Sequence, residues 1–519
     1  MTPPLWSLSA TELAKLLEKR EISSVELVRS HLDRIDAVDG KLRAFTTVFR
    51  ERALAEAERA DEVRGKGEAK GPLFGLPVSV KECFDIEGAP TTIGVPAKRS
   101  HRATSDAAIV KLLRDAGAIV LGRTNVSQFM LFVESRNPVY GQTANPHSHD
   151  HTPGGSSGGE GAAIAAGMSP LGVGTDIGGS IRVPAHFSGI AGLKPSLDRL
   201  PMRGCATALP GQEAVRAQLG PMARTVADLE LFFAGLDLDK ASALDPRVPP
   251  LPWQAAREEQ AKGLRVGVYL NDGLVPSSAS VVRAVEKAAR LLEEAGCTIV
   301  PFEPPRVGEM IFTYTGIFGS DAATTLAEQL GDDEIDPALK SLKLIARMPA
   351  AVRLTAAKAL EAAGEPLVAK LMASVGRKPV EELWKLTNRV RQYRFEMMAA
   401  WDAANLDIVL CPPFATPALP HVGSKDFTLA GSYSMTWNLV QFPAGVVPVS
   451  RVRPEETERP SPRGRIERHA AMVDAKSAGL PLGVQVVGRP WDDARVLAVM
   501  KHLEEAVKND DDRPLVPVV

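Results

Sequence analysis

The sequence predicts an α/β protein, and two stretches of the chain carry that prediction. A helix expected over 106–116 ends at a glycine and runs directly into an apolar strand at 118–121. The same order returns where a helix over 281–295 is followed, after one glycine, by a strand at 297–300. Helices that alternate with strands in this way are typical of α/β sheets.

The composition is that of an ordinary globular protein. The chain has 519 residues, long enough on length alone for two or three domains. Its net charge of -2 gives no overall attraction to nucleic acid or to an anionic membrane. Its four cysteines are widely spaced and form no Cys-X-X-Cys motif, which argues against a disulfide framework and fits a reducing compartment. They are Cys83, Cys205, Cys297 and Cys411.

The sequence shows no sign of export or of a membrane span. Residues 1–19 contain no basic start followed by an apolar stretch, so no secretory signal is expected. No apolar run reaches about 18 residues, the length at which a transmembrane helix is suspected. We therefore expect a cytoplasmic protein.

Three helices are expected near the N-terminus. Ser9 with Glu12, and Ser23 with Glu26, fit the capping box that begins a helix. Apolar residues then recur at helical spacing after each serine. A third, Ala-rich helix is expected over 50–63.

Further along, short strands, helices and a loop are expected in turn. Apolar, strand-like runs cover 76–81, 264–270 and 407–411. Residues 340–375 contain helical segments in which Lys and Arg are interleaved with apolar positions. Residues 451–470 are rich in Arg, Glu and Pro, which predicts an exposed, mobile loop.

Glycine and serine dominate residues 138–195, apart from one Ala-rich helix expected over 160–166. Two runs stand out, Pro-Gly-Gly-Ser-Ser-Gly-Gly-Glu at 153–160 and Gly-Thr-Asp-Ile-Gly-Gly-Ser-Ile-Arg at 174–182. Such glycines need a backbone reason, namely a tight turn, a positive φ or close approach to a ligand.

The second run suggests a nucleophile. Two glycines directly before Ser180 would let backbone N–H groups converge on one point, as in an oxyanion hole. A serine at the end of such a run is well placed to attack. An anion-binding loop and a purely structural turn also fit, although the spacing matches neither common phosphate-loop motif. These residues alone leave all three interpretations open.

A serine nucleophile needs a base, and none of the nine histidines lies in a context that requires a triad. His147, His149 and His151 fall in a loop expected to be solvated, with a metal site as the lesser alternative. His186 is expected to pack in the interior.

Lys81 is the other candidate for the base. It ends an apolar strand, where a low-dielectric site would favour loss of its proton. A salt-bridged or snorkelling lysine is the alternative.

The two Gly-Ser runs with Lys81 upstream resemble the amidase signature family. Ser156 follows Lys81 by 75 residues, and Ser180 follows Ser156 by 24. Within that family, further segments resemble the fatty acid amide hydrolases, and the likeness covers residues 10–505. These segments are 75–84, 124–130, 137–138, 141–143, 244–252, 383–386 and 442–449.

The resemblance implies one domain over 1–519, built on a large mixed, twisted β-sheet with helices on both faces. A helical N-terminal region would cover 8–65 and a catalytic core 70–235. The second part of the core would cover 262–505 and include a helical, cap-like segment at 340–375.

The resemblance also implies roles for individual residues. Ser180 would be the nucleophile, Ser156 would relay its proton, and Lys81 would be the base, with a cis peptide bond at Gly155–Ser156. An acyl-enzyme would form and be hydrolysed, and no metal or cofactor would be required. The substrate side would consist of Met130, Ser156, Ile177, Gly178, Gly179 and Ser180, with the backbone N–H groups of the last four binding the oxyanion. Ser157, Thr175, Asp176 and Arg182 would form the supporting hydrogen-bond network.

The implied substrate is a small, lipid-like amide such as a fatty acid amide or an N-acylethanolamine, with no nucleic-acid partner. Residues 340–375 would either touch a membrane peripherally or pack as ordinary amphipathic helices, and a homodimer is left open.

Two alternative functions lie within the family. One is the glutamine-hydrolysing component of an aminoacyl-tRNA amidotransferase, whose usual Tyr-Gly-Arg-Val-type run is missing at 193–200. The other is a short-chain or aryl amidase. The presence of all three triad residues argues against a non-catalytic protein of this fold.

Overall fold

An eleven-stranded sheet forms the centre of the protein in the computed structural model, which describes residues 3–514. Two further strands, β4 and β5, form a separate hairpin. The strands are β1 (Phe45–Val48), β2 (Pro77–Lys81), β3 (Ile119–Thr124), β4 (Arg136–Asn137), β5 (Gly141–Gln142), β6 (Leu171–Asp176), β7 (Ala191–Lys194), β8 (Gln218–Ala223), β9 (Arg265–Val268), β10 (Thr298–Pro301), β11 (Ile408–Cys411), β12 (Ala444–Arg451) and β13 (Pro481–Val487).

Helices connect and cover these strands. They are α1 (Ala10–Glu18), α2 (Ser24–Leu42), α3 (Arg50–Gly65), α4 (Ala108–Asp115), α5 (Gly158–Ala165), α6 (Arg182–Ser188), α7 (Val226–Gly235), α8 (Leu238–Leu244), α9 (Ala279–Glu294), α10 (Val307–Phe318), α11 (Thr324–Leu330), α12 (Pro337–Arg347), α13 (Ala350–Ala362), α14 (Pro366–Ser374), α15 (Val380–Ala403), α16 (Ser432–Leu439), α17 (Gly464–Asp474) and α18 (Asp493–Ala506). The helices α12, α13 and α14 lie where helical segments were expected over 340–375.

The sheet is mixed, and its strand order is β1-β3-β2-β6-β8-β7-β12-β13-β11-β9-β10. Both helix-to-strand units that predicted an α/β protein are present as parallel crossovers, β2–α4–β3 and β9–α9–β10. The β6–β8–β7–β12–β13–β11 run between them is antiparallel throughout. The expected fold class, a large mixed sheet flanked by helices, is therefore confirmed.

The sheet is buried on both faces. Every residue of β2, β3, β6, β7, β8, β11 and β13 is buried, which requires cover above and below the sheet. Helices α5 and α6 contact the central strands, and α7, α9 and α18 supply further cover. Strands from both expected parts of the domain join this one sheet. The ends of the expected 1–519 domain, residues 1–2 and 515–519, lie outside the described residues.

The N-terminal helices begin where the serines predict. The backbone N–H of Ser23 donates to Glu26 Oε2 at 2.8 Å, and the backbone N–H of Glu26 donates to Ser23 Oγ at 3.1 Å. Ser9 and Glu12 form the same reciprocal pair at the start of α1. Both capping boxes are therefore confirmed.

The expectation of an exposed loop over 451–470 holds for 452–463, which contain only a short 3₁₀ turn and are mostly exposed, but not for 464–470, which are helical. β12 extends to Arg451 and α17 begins at Gly464. Between them, Arg459 Nε binds the Asp474 carboxylate at 2.8 Å, and Glu456 binds the guanidinium of Arg283 on α9. Two charged side chains of the stretch therefore pair with residues outside it and tie the loop to α9 and α17.

None of the helices within residues 3–514 combines the length and apolar character needed to cross a bilayer.

Candidate active site

The site forms where two neighbouring parallel strands end. In the pairing of β2 with β6, Val80 lies opposite Val173, so the carboxyl ends of both strands meet at the same edge. Lys81 is the last residue of β2, and Thr175 and Asp176 are the last residues of β6. The two Gly-Ser runs converge on this edge, one leading into α5 and the other from β6 into α6.

Two of the glycines are required by close packing. A Cβ on Gly155 would lie 2.5 Å from the backbone nitrogen of Glu134, closer than any side chain tolerates. Gly179 has a φ of +112°, and a Cβ there would lie 2.8 Å from the Cβ of Ser434. The Gly155–Ser156 peptide bond is cis, as the sequence resemblance implies. Gly155 thus lets its loop approach neighbouring backbone, and Gly179 lets the second loop pack against the Ser434 side chain.

Lys81 is completely buried and faces only neutral oxygen atoms. Its Nζ donates to Ser156 Oγ at 2.7 Å and to Thr175 Oγ1 at 2.8 Å. Within residues 3–514 no carboxylate forms an ion pair with it, so the salt-bridged alternative is wrong. Burial lowers the pKa of Lys81 below its ordinary value of 10.5, despite opposing charges farther away.

Ser180 lies on the wall of a cavity of about 300 Å³ that Ser156 and Thr175 also line. It is half-buried, and its carbonyl oxygen accepts a hydrogen bond from the N–H of Ser157 at 3.2 Å. Its Oγ has no hydrogen-bond partner among the described residues. The structure therefore brings Lys81 and Ser156 into direct contact and places Ser180 in the same cavity with its hydroxyl free.

Three backbone N–H groups beside Ser180 are also free. In the described part of the chain, no acceptor is hydrogen-bonded to the N–H of Ile177, Gly178 or Ser180. Gly179 differs, because its N–H donates to Asp176 Oδ1 at 2.8 Å. The expectation that all four amides face an oxyanion therefore needs correction: the Asp176 carboxylate occupies the Gly179 amide, and three donors remain.

Tyr314, on α10, orients one of these free amides. Its hydroxyl donates to the carbonyl oxygen of Ile177 at 3.2 Å. In a planar trans peptide the N–H points opposite to the C=O. The bond therefore turns the N–H of Gly178 away from Tyr314. No sequence signal marked Tyr314, which lies 137 residues from its partner.

Beneath the loop lies a buried ion pair between Asp176 and Arg182. Arg182 Nε donates to Asp176 Oδ2 at 2.9 Å, and Nη2 donates to Oδ1 at 2.8 Å. Burial alone would raise the pKa of Asp176, but the charge of Arg182 holds it well below its usual range. The same carboxylate also accepts the N–H groups of Gly179 and Ile181, so it fixes the turn that carries Ser180.

Residues from the C-terminal half complete the Arg182 environment. Its remaining N–H groups donate to Asn438 Oδ1 at 2.6 Å, to Gln485 Oε1 at 2.6 Å and to the carbonyl oxygen of Ser434 at 3.0 Å. All five guanidinium donors are therefore used. Sequence reasoning identified Arg182 but missed these three partners, because they lie more than 250 residues away.

The other expected site residues lie around this centre. Ser157 Oγ donates to the carbonyl oxygen of Thr175 at 3.3 Å, which links the two Gly-Ser runs. Met130 lines the cavity from a short 3₁₀ turn. Glu160, which was not anticipated, is buried below Lys81 and accepts hydrogen bonds from Ser79 Oγ and Thr124 Oγ1. Burial raises the pKa of Glu160 to about 7.

The histidines lie apart from this centre. His186 is fully buried and accepts the N–H of Gly483 at 2.9 Å, so the expectation that it packs is confirmed. A solvated loop was expected around the other three, and this holds only for His149. His151 is buried, and His147 packs with its Nε2 3.1 Å from a carbonyl oxygen at the end of α6. No metal-binding cluster of His, Cys, Asp or Glu occurs within residues 3–514.

Known proteins resemble this chain over nearly its whole length. The Amidase family model matches residues 26–497. A fatty-acid amide hydrolase 1 of Sus scrofa is 36% identical over 506 residues, covering 96% of this chain and 86% of that protein. A fatty acid amide hydrolase 1 of Caenorhabditis elegans is 34% identical over 511 residues, covering 96% and 88%. A solved fatty acid amide hydrolase structure superposes with a TM-score of 0.85 at 28% identity, covering 98% of this chain and 87% of that one.

We expect Arg182→Met to lower the free energy of unfolding by about 3–5 kcal/mol, because it leaves the Asp176 carboxylate buried without a counter-charge. Chemical or thermal denaturation followed by circular dichroism measures the change. The matched control is Arg50→Met, which removes an exposed partner of Asp36 and should cost about 1 kcal/mol or less. Equal losses for the two variants would contradict the structural importance of the buried pair.

Proposed function

The chain belongs to the amidase signature family and is an amide hydrolase, and from this premise we propose that it cleaves fatty acid amides through Ser180, Ser156 and Lys81. The observation that carries the proposal is the contact between Lys81 and Ser156. Burial without a carboxylate partner lowers the pKa of Lys81, which favours the neutral form that a general base requires, and the contact with Ser156 gives that base a hydroxyl to act on.

The proposed first step moves one proton along two hydroxyls. Ser180 Oγ attacks the amide carbonyl carbon and passes its proton to Ser156, whose own proton goes to Lys81 Nζ. The tetrahedral intermediate carries its negative charge on the former carbonyl oxygen. The free amides of Ile177, Gly178 and Ser180 support this role, since they are fixed donors beside the nucleophile.

The proton taken up by Lys81 then serves the leaving group. Returned through Ser156, it protonates the amide nitrogen, the C–N bond breaks and the amine or ammonia departs. An ester between the acyl group and Ser180 Oγ remains. Water hydrolyses this acyl-enzyme with the same base, which releases the carboxylic acid and restores the Ser180 hydroxyl.

The residues of the cavity wall are evidence for a substrate with an apolar acyl group. Six large apolar side chains line the cavity together with the charged groups of Glu213, Arg216 and Arg247, and the apolar ones would remove a hydrocarbon chain from water. The six apolar residues are Phe129, Met130, Leu131, Met202, Leu209 and Phe318. Phe318 is held by stacking on Tyr314 with ring centroids 4.4 Å apart.

The surface of α12 and α13 supports peripheral contact with a membrane, from which a lipid amide would be taken. Leu344, Val352 and Leu354 expose 68%, 55% and 45% of their surface. Lys340 and Arg347, both exposed, lie on α12 among the apolar positions. Apolar side chains flanked by basic groups are typical of helices that lie in a bilayer interface.

We expect Lys81→Ala, Ser156→Ala and Ser180→Ala each to lower kcat by about 10³-fold or more, because the three groups act as one unit. In the unaltered enzyme kcat/KM should rise with pH, because the base works only when neutral. The midpoint should lie below pH 10.5, since burial lowers the pKa of Lys81.

Labelling with a fluorophosphonate probe tests directly whether Ser180 is the nucleophile, independently of the loss of activity. Ser180→Ala should abolish labelling, whereas Ser148→Ala, a substitution in the 145–151 loop, serves as the matched serine control and should label normally. Undiminished labelling of Ser180→Ala would eliminate Ser180 as the nucleophile.

A substrate panel tests the lipid-amide proposal. With primary amides of increasing acyl length, kcat/KM should rise about fourfold per methylene group while the chain remains in the cavity, from about 0.8 kcal/mol per buried CH₂. Phe318→Ala should reduce hydrolysis of long-chain amides more than that of acetamide. Higher kcat/KM for short aryl amides or for glutamine would favour the two alternatives within the family instead.

Flotation with lipid vesicles tests the membrane contact. The enzyme should co-float with vesicles containing phosphatidylserine, and Leu344→Glu combined with Leu354→Glu should reduce the bound fraction at least threefold. Met472→Glu, at a position 60% exposed on α17, is the matched control and should bind normally. Equal binding by all variants would rule out α12 and α13 as the contact surface.

A further inference from the structure

Two cysteines far apart in sequence meet beside the site. Cys83 and Cys205 lie 122 residues apart, and their sulfur atoms are 3.7 Å from each other, with the thiol of Cys205 donating to Cys83. Both are present as free thiols. A disulfide needs a sulfur–sulfur distance of about 2.05 Å, so an approach of about 1.7 Å would join them.

The surrounding backbone permits that approach. The N–H of Ala206 donates to the carbonyl oxygen of Cys83 at 2.8 Å, and Phe84 forms an isolated β-bridge with Cys205, so the two segments are already held together. Cys205 itself lies in the stretch 200–217, which contains neither helix nor strand. Its side chain can therefore rotate without breaking a regular hydrogen-bond ladder.

One thiol of the pair can be reached from the cavity. Cys205 lines the same cavity as Ser180, whereas Cys83 is completely buried two residues after Lys81. Burial opposes ionisation of Cys83, but the hydrogen bond from Cys205 contributes to a pKa below its ordinary value. The hydrogen bond to Cys83 raises the pKa of Cys205. Glu82 and Asp85 are the carboxylates nearest the pair in sequence. One proton shared between two sulfurs makes thiolate available at the site.

We propose that Cys83 and Cys205 form an oxidation site, at which a hydroperoxide entering the substrate cavity converts the two thiols to a disulfide and switches the hydrolase off. In the first step the Cys205 sulfur attacks the peroxide oxygen while its proton passes by way of Cys83 to the departing oxygen; the O–O bond breaks, and a sulfenic acid and an alcohol (or water) result. In the second step the Cys83 sulfur attacks the sulfenic sulfur, the S–O bond breaks and water leaves. The two thiols lose two electrons, and the peroxide gains them.

Loss of activity follows from the position of Cys83. Its sulfur lies 4.0 Å from Thr175 Oγ1, the same oxygen that accepts the hydrogen bond from Lys81 Nζ. Closing the disulfide draws the Cys83 sulfur toward Cys205 and away from Thr175. It also moves the cavity wall beside Ser180, and a displacement of about 1 Å in such a site costs roughly 100-fold in rate.

The inhibitory effect rests on the proposed roles of Lys81 and Ser180, but formation of the disulfide does not, so the two are measured separately. The full-length reduced enzyme is treated with hydrogen peroxide and then split into two portions. One is alkylated and digested for mass spectrometry. The other is assayed for amide hydrolysis before and after dithiothreitol. We expect a cross-linked Cys83–Cys205 peptide, about 2 Da lighter than the two reduced peptides combined, which corresponds to the two hydrogens lost.

The expected activity is below one-tenth of the untreated value, with recovery on reduction. Cys205→Ser should keep most of its own untreated activity at the same peroxide dose, whereas Cys297→Ser, which alters a cysteine outside this pair, should be inactivated like the unaltered enzyme. Absence of the cross-linked peptide, full activity of the cross-linked enzyme, or equal inactivation of Cys205→Ser would overturn the proposal. A different result would contradict the proposed function: the reduced enzyme would fail to react with a fluorophosphonate probe. In that case mass spectrometry alone would decide whether the Cys83–Cys205 cross-link forms.

Discussion

The buried ion pair of Asp176 with Arg182 is the interaction on which the rest of the site depends. A charge in a dry interior is tolerated only when it is paired and hydrogen-bonded, so both groups must find every partner they can use. Asp176 takes backbone amides from the turn that carries Ser180, and Arg182 takes acceptors from α16 and β13. The pair therefore ties the loop that carries Ser180 to the opposite half of the sheet.

Three buried basic side chains lie in this region, and they differ in the groups to which they donate hydrogen bonds. Arg182 has a carboxylate partner, Asp176, with which it forms a buried ion pair. Lys81 and Lys194 have only neutral oxygens within hydrogen-bonding distance, and burial lowers the pKa of both, that of Lys194 to about 7. Lys194 donates to backbone carbonyls, whereas Lys81 reaches two side-chain hydroxyls, one of which can carry a proton onward. The surroundings of each cation, more than its residue type, decide what it can do.

Much of the fold could be predicted from local patterns. The two helix–glycine–strand units and the capping boxes at Ser9 and Ser23 depend on neighbours within a few residues, so the sequence displays them directly. Lys81 was visible for the same reason, as a lysine at the end of an apolar strand. The resemblance to a family then supplied the mixed sheet and the pairing of Lys81 with Ser156, which no local pattern contains.

What could not be predicted depends on contacts across the sheet. Tyr314, Asn438 and Gln485 carry no local mark, because each acts by reaching a loop more than 130 residues away. The sequence did not show that the Gly179 N–H donates to Asp176, because Asp176 was expected only in the hydrogen-bond network that supports the site. The ion pairs that hold the 452–463 loop were missed because composition records charge without showing which charges pair.

The long separation between Arg182 and its partners has a consequence for the newly made chain. Gln485 follows Arg182 by 303 residues, which a ribosome adding 5–20 residues per second needs about 15–60 s to synthesise. Throughout that interval Gln485 is missing from the acceptors of the guanidinium, so the set of hydrogen bonds that surrounds buried Arg182 is incomplete. The emerging polypeptide therefore completes the surroundings of Arg182 only when the last strand of the sheet has been made.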